Sequence, residues 1–250
     1  MELKNAYWWF KEAFDPETCQ KIIDLGLDTI AQEEAAGRIC TAVTMGREEK
    51  QSKPNAKPQG EMSKYELNGE TNTYVRDSKV AWLHEQWLYD LVIPLVSKAN
   101  RLAGWNWQLD SAERFQFTVY NPSGFYSWHK DGGSDGGARY RRYIYGVSDF
   151  KEIEGNIYPA GMTSVPEYVG KVRKISTTIN LNVPGDYEGG NLKFDFGMHT
   201  DNISRFHECT EIRPQGSMIV FPSFLPHCVT PVTSGTRYSL VLWSLGDPFQ

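Results

Sequence analysis

His129 and Asp131 stand either side of Lys130, and His227 and Arg237 follow far downstream. On an extended strand alternate side chains share a face, so one metal ion can take both His129 and Asp131 while Trp128 and Lys130 point away. Two imidazoles and one carboxylate on one side of an ion suit ferrous iron and leave positions open for a cosubstrate and O2. Arg237 adds a fixed cation whose planar fork matches a carboxylate. Together these residues predict oxidative metal chemistry with an acidic cosubstrate, with His129, Asp131 and His227 as ligands. A lone H-x-D arises by chance in many proteins. A distal His, an Arg ten positions beyond it and strand-like flanks at all three places lift this one above chance.

The third ligand needs a strand of its own. Ser217 to Phe221 reads as one strand, Pro222 to Pro226 as a break and His227 to Val229 as a second strand, with Thr233-Ser234-Gly235 as a turn and Thr236 to Trp243 returning. That hairpin is expected to bring Arg237 beside His227. Asp15 and Pro16 form a helix start, Asp15 as cap and Pro16 in the first turn, followed by Cys19, Ile22, Ile23, Leu25 and Leu27. Between Val80 and Leu102 the apolar residues recur at helical spacing, which predicts an amphipathic helix carrying His84, with Trp82 and Trp87 as core. From Phe115 onward short β-runs alternate with Gly, Pro and Asn turns. His199 and His207 flank a polar loop; like His84, they read as surface or structural side chains, with His199 placed to line a pocket mouth.

Two polar segments interrupt this pattern. Residues 34–75 hold few apolar groups to offset the entropy of ordering, so a mobile loop is expected, and 47–60 is the best candidate for a lid. The insertion 132–173 opens with glycines from Gly132 to Gly137, a hinge next to the metal strand, and continues with Arg139 to Tyr145, which either reaches over the pocket or is solvated surface.

The blocks Phe115 to Asp131, Ile179-Asn180-Leu181-Asn182 with Asp186 to Leu192 and its Glu-Gly-Gly turn, and Gly216 to Trp243 resemble the iron(II)- and 2-oxoglutarate-dependent dioxygenases in their prolyl 4-hydroxylase-like branch. The resemblance covers about residues 76–246. It implies a mainly β fold with flanking helices around a double-stranded β-helix (jelly-roll) core. It also implies Fe(II) held by His129, Asp131 and His227, with 2-oxoglutarate and O2 as cosubstrates and ascorbate as an accessory reductant. Arg237 matches the residue that pairs with the distal carboxylate of 2-oxoglutarate, and Tyr120 and Asn180 match polar pocket positions. The implied reaction is hydroxylation with release of succinate and CO2, on a protein or peptide substrate by analogy with the branch, or on a free amino acid or other small molecule. A jelly-roll binding module without catalysis is the alternative from another class, and an oxygenase that dispenses with 2-oxoglutarate is the alternative among enzymes. An intact Asp131 argues against halogenation, and Trp243 stands where nucleic-acid demethylases usually carry a second Arg.

The chain of 250 residues and 28.5 kDa is long enough for one sizeable core and is expected to form a single domain, 1–250, with residues 1–75 as helical support and loop. A net charge of -5 and a pI near 5.6 argue against a protein built to grip nucleic-acid phosphates. No run is apolar enough to span a bilayer, and the N-terminus lacks a signal-peptide layout. Cys19, Cys40, Cys209 and Cys228 show neither metal-binding nor disulfide-framework spacing, which fits a reducing, cytoplasmic setting that also keeps iron ferrous.

Overall fold

The computed structural model describes residues 3–38, 40–42, 76–132, 139–142, 162–163, 165–197 and 205–249. Strand β1 (Trp8–Phe10) and helix α1 (Pro16–Ala35) come first, then β2 (Arg76–Asp77), β3 (Lys79–Leu83) and α2 (Gln86–Leu102). The strands β4 (Ser111–Ala112), β5 (Phe115–Tyr120), β6 (Phe125–His129), β7 (Arg141–Arg142), β8 (Met162–Thr163) and β9 (Val172–Asn180) follow. Then come β10 (Tyr187–Gly189), β11 (Leu192–Asp195), β12 (Phe206–Glu208), β13 (Met218–Pro222), β14 (His227–Val229), β15 (Val232–Gly235) and β16 (Arg237–Gly246).

A seven-stranded sheet runs β1-β13-β9-β16-β5-β3, with β4 on β16, and a five-stranded sheet runs β12-β11-β14-β6-β2. From β5 onward the chain passes repeatedly between them: β5, β9, β13 and β16 belong to the larger sheet, β6, β11 and β14 to the smaller. This alternation produces the jelly roll, in which side chains from two inner faces meet in one interior. The described pairs within both sheets are antiparallel; the separate two-stranded β7-β8 pair is parallel.

The helices cover the outer face of the large sheet. Asp15 caps α1 by accepting from Thr18 N at 2.7 Å, Pro16 opens it, and Cys19, Ile22 and Ile30 bury against the sheet. Helix α2 contributes Leu88, Val92, Val96 and Ala99 to the same core, opposite Phe115, Phe117, Ile179 and Leu240. Burying each large side chain contributes roughly 1.5–3 kcal/mol, so this cluster fixes the sheet whose other face carries polar residues. On β9 the apolar Ile175 and Ile179 join the helix-facing core, while Ser176 reaches a carboxylate and Thr178 lines a pocket on the inner side.

Three expectations need correcting. The helix expected over 80–102 begins only at Gln86, because Val80, Ala81, Trp82 and Leu83 pair with β5 as an edge strand; Trp82 is 44% exposed rather than core, and His84 lies between strand and helix. Thr233-Ser234-Gly235 belongs to β15, which pairs with β10. His227 and Arg237 are therefore not partners in one hairpin, since β14 and β16 lie in different sheets. The lid candidates 47–60 and 133–137 lie outside the described residues, as does His199.

Candidate metal centre

His129 ends β6 and His227 begins β14, and the two are direct cross-strand partners in the small sheet. Their rings lie 4.2 Å apart. Each Nδ1 faces a backbone carbonyl two residues earlier in the chain, Ser127 O at 2.7 Å and Leu225 O at 2.9 Å. A carbonyl only accepts, so both Nδ1 atoms carry a proton, which fixes Nε2 as the nitrogen each ring can offer to a metal.

Asp131 completes the set by a route that strand alternation does not supply. It lies past the end of β6, in a bend, where Gly132 N donates to Ser223 O at 2.9 Å. The Ser176 hydroxyl donates to Asp131 Oδ2 at 2.7 Å and is itself 2.9 Å from the Ser223 hydroxyl. So held, Asp131 Oδ1 lies 3.5 Å from His129 Nε2, and Oδ2 lies 3.4 Å from His227 Nε2. Among the described residues this is the one group of three acidic, His or Cys side chains whose donor atoms fall within 4.8 Å of one another.

Burial opposes ionisation of Asp131, but His227, His129 and Arg173 outweigh it and hold the carboxyl well below the usual carboxylate range. Burial pushes His227 the other way for a base, down to about 4, aided by neighbouring His129 and opposed by Asp131 and the Leu225 carbonyl. An ionised carboxylate and a neutral imidazole are the ligand forms a divalent ion needs. A carboxylate and two imidazoles converging in a buried site are costly unless a cation joins them.

The triad opens into a pocket that includes Tyr120, Tyr126, Thr178, Arg237, Ser239 and Trp243 in its lining. The Tyr126 ring stacks on His129 at 3.5 Å, and Phe221 meets His227 edge-on at 4.7 Å, so both imidazoles are braced. Arg237 enters from the opposite sheet, where it pairs across from Tyr120. It is 1% exposed, with Nη1 donating to Ser239 Oγ at 3.3 Å and the guanidinium 5.2 Å from the Tyr120 ring. Its Nε and the Trp243 Nε1, both buried, have no hydrogen-bond partner. Orphaned buried donors facing a pocket mark where a ligand's acceptors belong.

His129, Asp131, His227, Arg237 and Tyr120 thus share one pocket, and Asn180 does not. Its amide donates to Asn182 O at 3.2 Å and Arg213 O at 2.9 Å, and its Oδ1 accepts from Tyr187 at 3.4 Å, so the side chain is spent holding backbone together. His207 is structural as expected, 2.9 Å from the Tyr7 hydroxyl. Two further arginines stand at the site. Arg76 lines the pocket, its guanidinium 4.6 Å over Tyr126. Arg173 touches the Asp131 carbonyl, pairs with Glu113 at 2.5 and 2.6 Å and lies 3.9 Å over Trp243. Arg76 carried no sequence signal because it lies in a strand of only two residues, and Arg173 lies at the end of an insertion that resembled nothing.

Residues 115–245 match the family described as the 2OG-Fe(II) oxygenase superfamily. A PKHD-type hydroxylase of Prochlorococcus marinus is 38% identical over 103 residues, 41% of this chain, and the match spans 42% of that relative's length. The viral collagen prolyl hydroxylase of Paramecium bursaria Chlorella virus-1, solved with 2OG, superposes with a TM-score of 0.54 at 14% identity, over 97% of each chain. A Trichoplax adhaerens prolyl hydroxylase, solved with a hypoxia inducible factor peptide fragment, superposes at 0.52 and 15% identity, over 96% of this chain and 83% of that one. At these identities the two structures establish the shared jelly-roll fold, and the family match covers just over half of the sequence and all of the candidate ligands: the chain belongs to the 2OG-Fe(II) oxygenase superfamily.

Proposed function

We propose that this chain is an Fe(II)- and 2-oxoglutarate-dependent hydroxylase of the prolyl 4-hydroxylase type, acting on a residue within a peptide or protein. The observation that carries the reading is the opposition of the His129-Asp131-His227 cluster to a buried Arg237 whose Nε has no partner, across one pocket. That geometry suits a dicarboxylate with one end at the metal and the other on the guanidinium. When bound, Fe(II) and 2-oxoglutarate supply the oxygen chemistry, leaving succinate and CO2 as coproducts. The chain's part is to hold the ligands in their metal-binding forms, neutralise the distal carboxylate with Arg237 and brace the pocket with Tyr120 and Tyr126. The fold shared with prolyl hydroxylases, one of them solved with a peptide fragment, supports a peptide substrate.

A second reading, a free amino acid or small carboxylate as substrate, is favoured by Arg76. Its side chain donates to Ser78, Gln116 and Thr118, all uncharged, and no carboxylate pairs with it among the described residues. Incubating the iron-loaded protein with 2-oxoglutarate, O2 and ascorbate, and measuring succinate, separates the readings. Proline-containing peptides should stimulate succinate release and gain one oxygen atom, whereas stimulation by free amino acids alone would favour the small-molecule reading. No stimulation by either, with no metal-dependent binding of 2-oxoglutarate, would overturn both. All four cysteines are free and buried, which supports a reducing compartment such as the cytosol, and no helix among the described residues is long and apolar enough to cross a membrane.

A further inference from the structure

Behind the pocket-lining Arg237 lies a glycine. Gly190 follows Gly189 in the Glu-Gly-Gly turn, at φ +57°. A Cβ placed on it would come within 2.9 Å of Arg237 Cδ, 3.1 Å of Val232 Cγ2 and 3.3 Å of Tyr187 Cε2. All three neighbours are buried, at 1%, 1% and 7% exposure. Two of them are tied to the surrounding structure. Val232 is anchored by its N donating to Gly124 O at 2.9 Å, and Tyr187 is held between its hydroxyl bond to Asn180 and the Arg213 guanidinium 5.0 Å over its ring. Arg237, by contrast, borders open volume, that of the pocket. The missing side chain at 190 is therefore the space in which the Arg237 stem lies.

We propose that Gly190 is a positioning residue that sets how far Arg237 stands back from the metal cluster, and so fixes the length of the dicarboxylate the pocket accepts. The inference rests on Arg237 binding the distal carboxylate. Filling position 190 pushes the guanidinium toward the metal and shortens the pocket. A five-carbon keto diacid then loses its fit relative to one a methylene shorter.

The test is calorimetric titration of Mn(II)-loaded protein, without turnover, with 2-oxoglutarate and with oxaloacetate. Gly190→Ala should lower the ratio of the two affinities by roughly tenfold, the low end of what one methylene commands in a packed pocket. Mn(II) affinity should stay within twofold. Gly185→Ala is the control, because its φ of +97° imposes at least as much backbone strain with nothing within 4 Å of the new methyl. Its ratio should match wild type. An unchanged ratio in Gly190→Ala, or an equal change in Gly185→Ala, overturns the proposal. Should Gly190→Ala fail to fold, Gly190→Ala/Val232→Ala relieves one contact while keeping the methyl against Arg237, and the same fall in ratio is required of it. If the wild-type protein does not prefer 2-oxoglutarate, or Arg237→Ala leaves that preference intact, the cosubstrate reading itself is wrong and this inference falls with it.

Discussion

Ser176 on β9 of the large sheet donates a 2.7 Å hydrogen bond to Oδ2 of Asp131, which lies just beyond the end of β6 in the small sheet. A ligand outside regular structure is oriented by the opposite wall of the jelly roll. Removing the partner of a metal ligand typically costs about 10- to 100-fold in affinity. Ser176→Ala is therefore expected to weaken Mn(II) binding by about tenfold or more while the fold, read by circular dichroism, is retained. Affinity within twofold of wild type would mean that the bond does not position Asp131.

Arg237→Ala should weaken 2-oxoglutarate binding to the metal-loaded protein by roughly two to three orders of magnitude, since stripping a buried charge of its partner costs about 3–5 kcal/mol. Metal affinity should change little, because Arg237 lies in the other sheet from the two imidazoles. Calorimetry with each ligand separates the two effects.

Gly26 in α1 faces the sheet so closely that a Cβ would lie 2.3 Å from the Phe117 ring. In an exposed helix Gly→Ala gains up to about 1 kcal/mol. Here overpacking, at about 1–3 kcal/mol, should win, and Gly26→Ala should lower the melting temperature. A higher melting temperature would show that the helix can move off the sheet without cost.

The ligand types and the Arg were legible in the sequence because the chemistry restricts which side chains serve, and His129, Asp131, His227 and Arg237 do meet in one pocket. Their geometry was less so. Alternation along a strand suggested that His129 and Asp131 share a face, yet a bend and the Ser176 bond place the carboxylate. The spacing of His227 and Arg237 suggested a hairpin, because local turn signals do not reveal that a jelly roll sends successive strands to different sheets. Val80, Trp82 and Leu83 fitted a helical period and a strand alike, and pairing with β5, a contact between distant residues, decided the outcome. Asn180 matched a pocket position by resemblance, but a competing set of backbone acceptors takes its amide.

Metal should also stabilise the fold. An ion at 100 times its dissociation constant adds about 2.7 kcal/mol, worth several degrees of melting temperature for a chain of this size. Thermal scans with Mn(II) and with chelator should show that gap in wild type and little of it in a His129→Ala/His227→Ala variant. An equal gap in both would place the ion elsewhere.

The most direct measurement of the central claim is an anaerobic titration of 2-oxoglutarate into the protein with and without Fe(II). If the His129-Asp131-His227 cluster and Arg237 hold the two ends of one cosubstrate, 2-oxoglutarate binds the iron-loaded protein one to one, and removing the iron weakens that binding at least tenfold. Equal affinity in the presence and absence of iron would contradict the account.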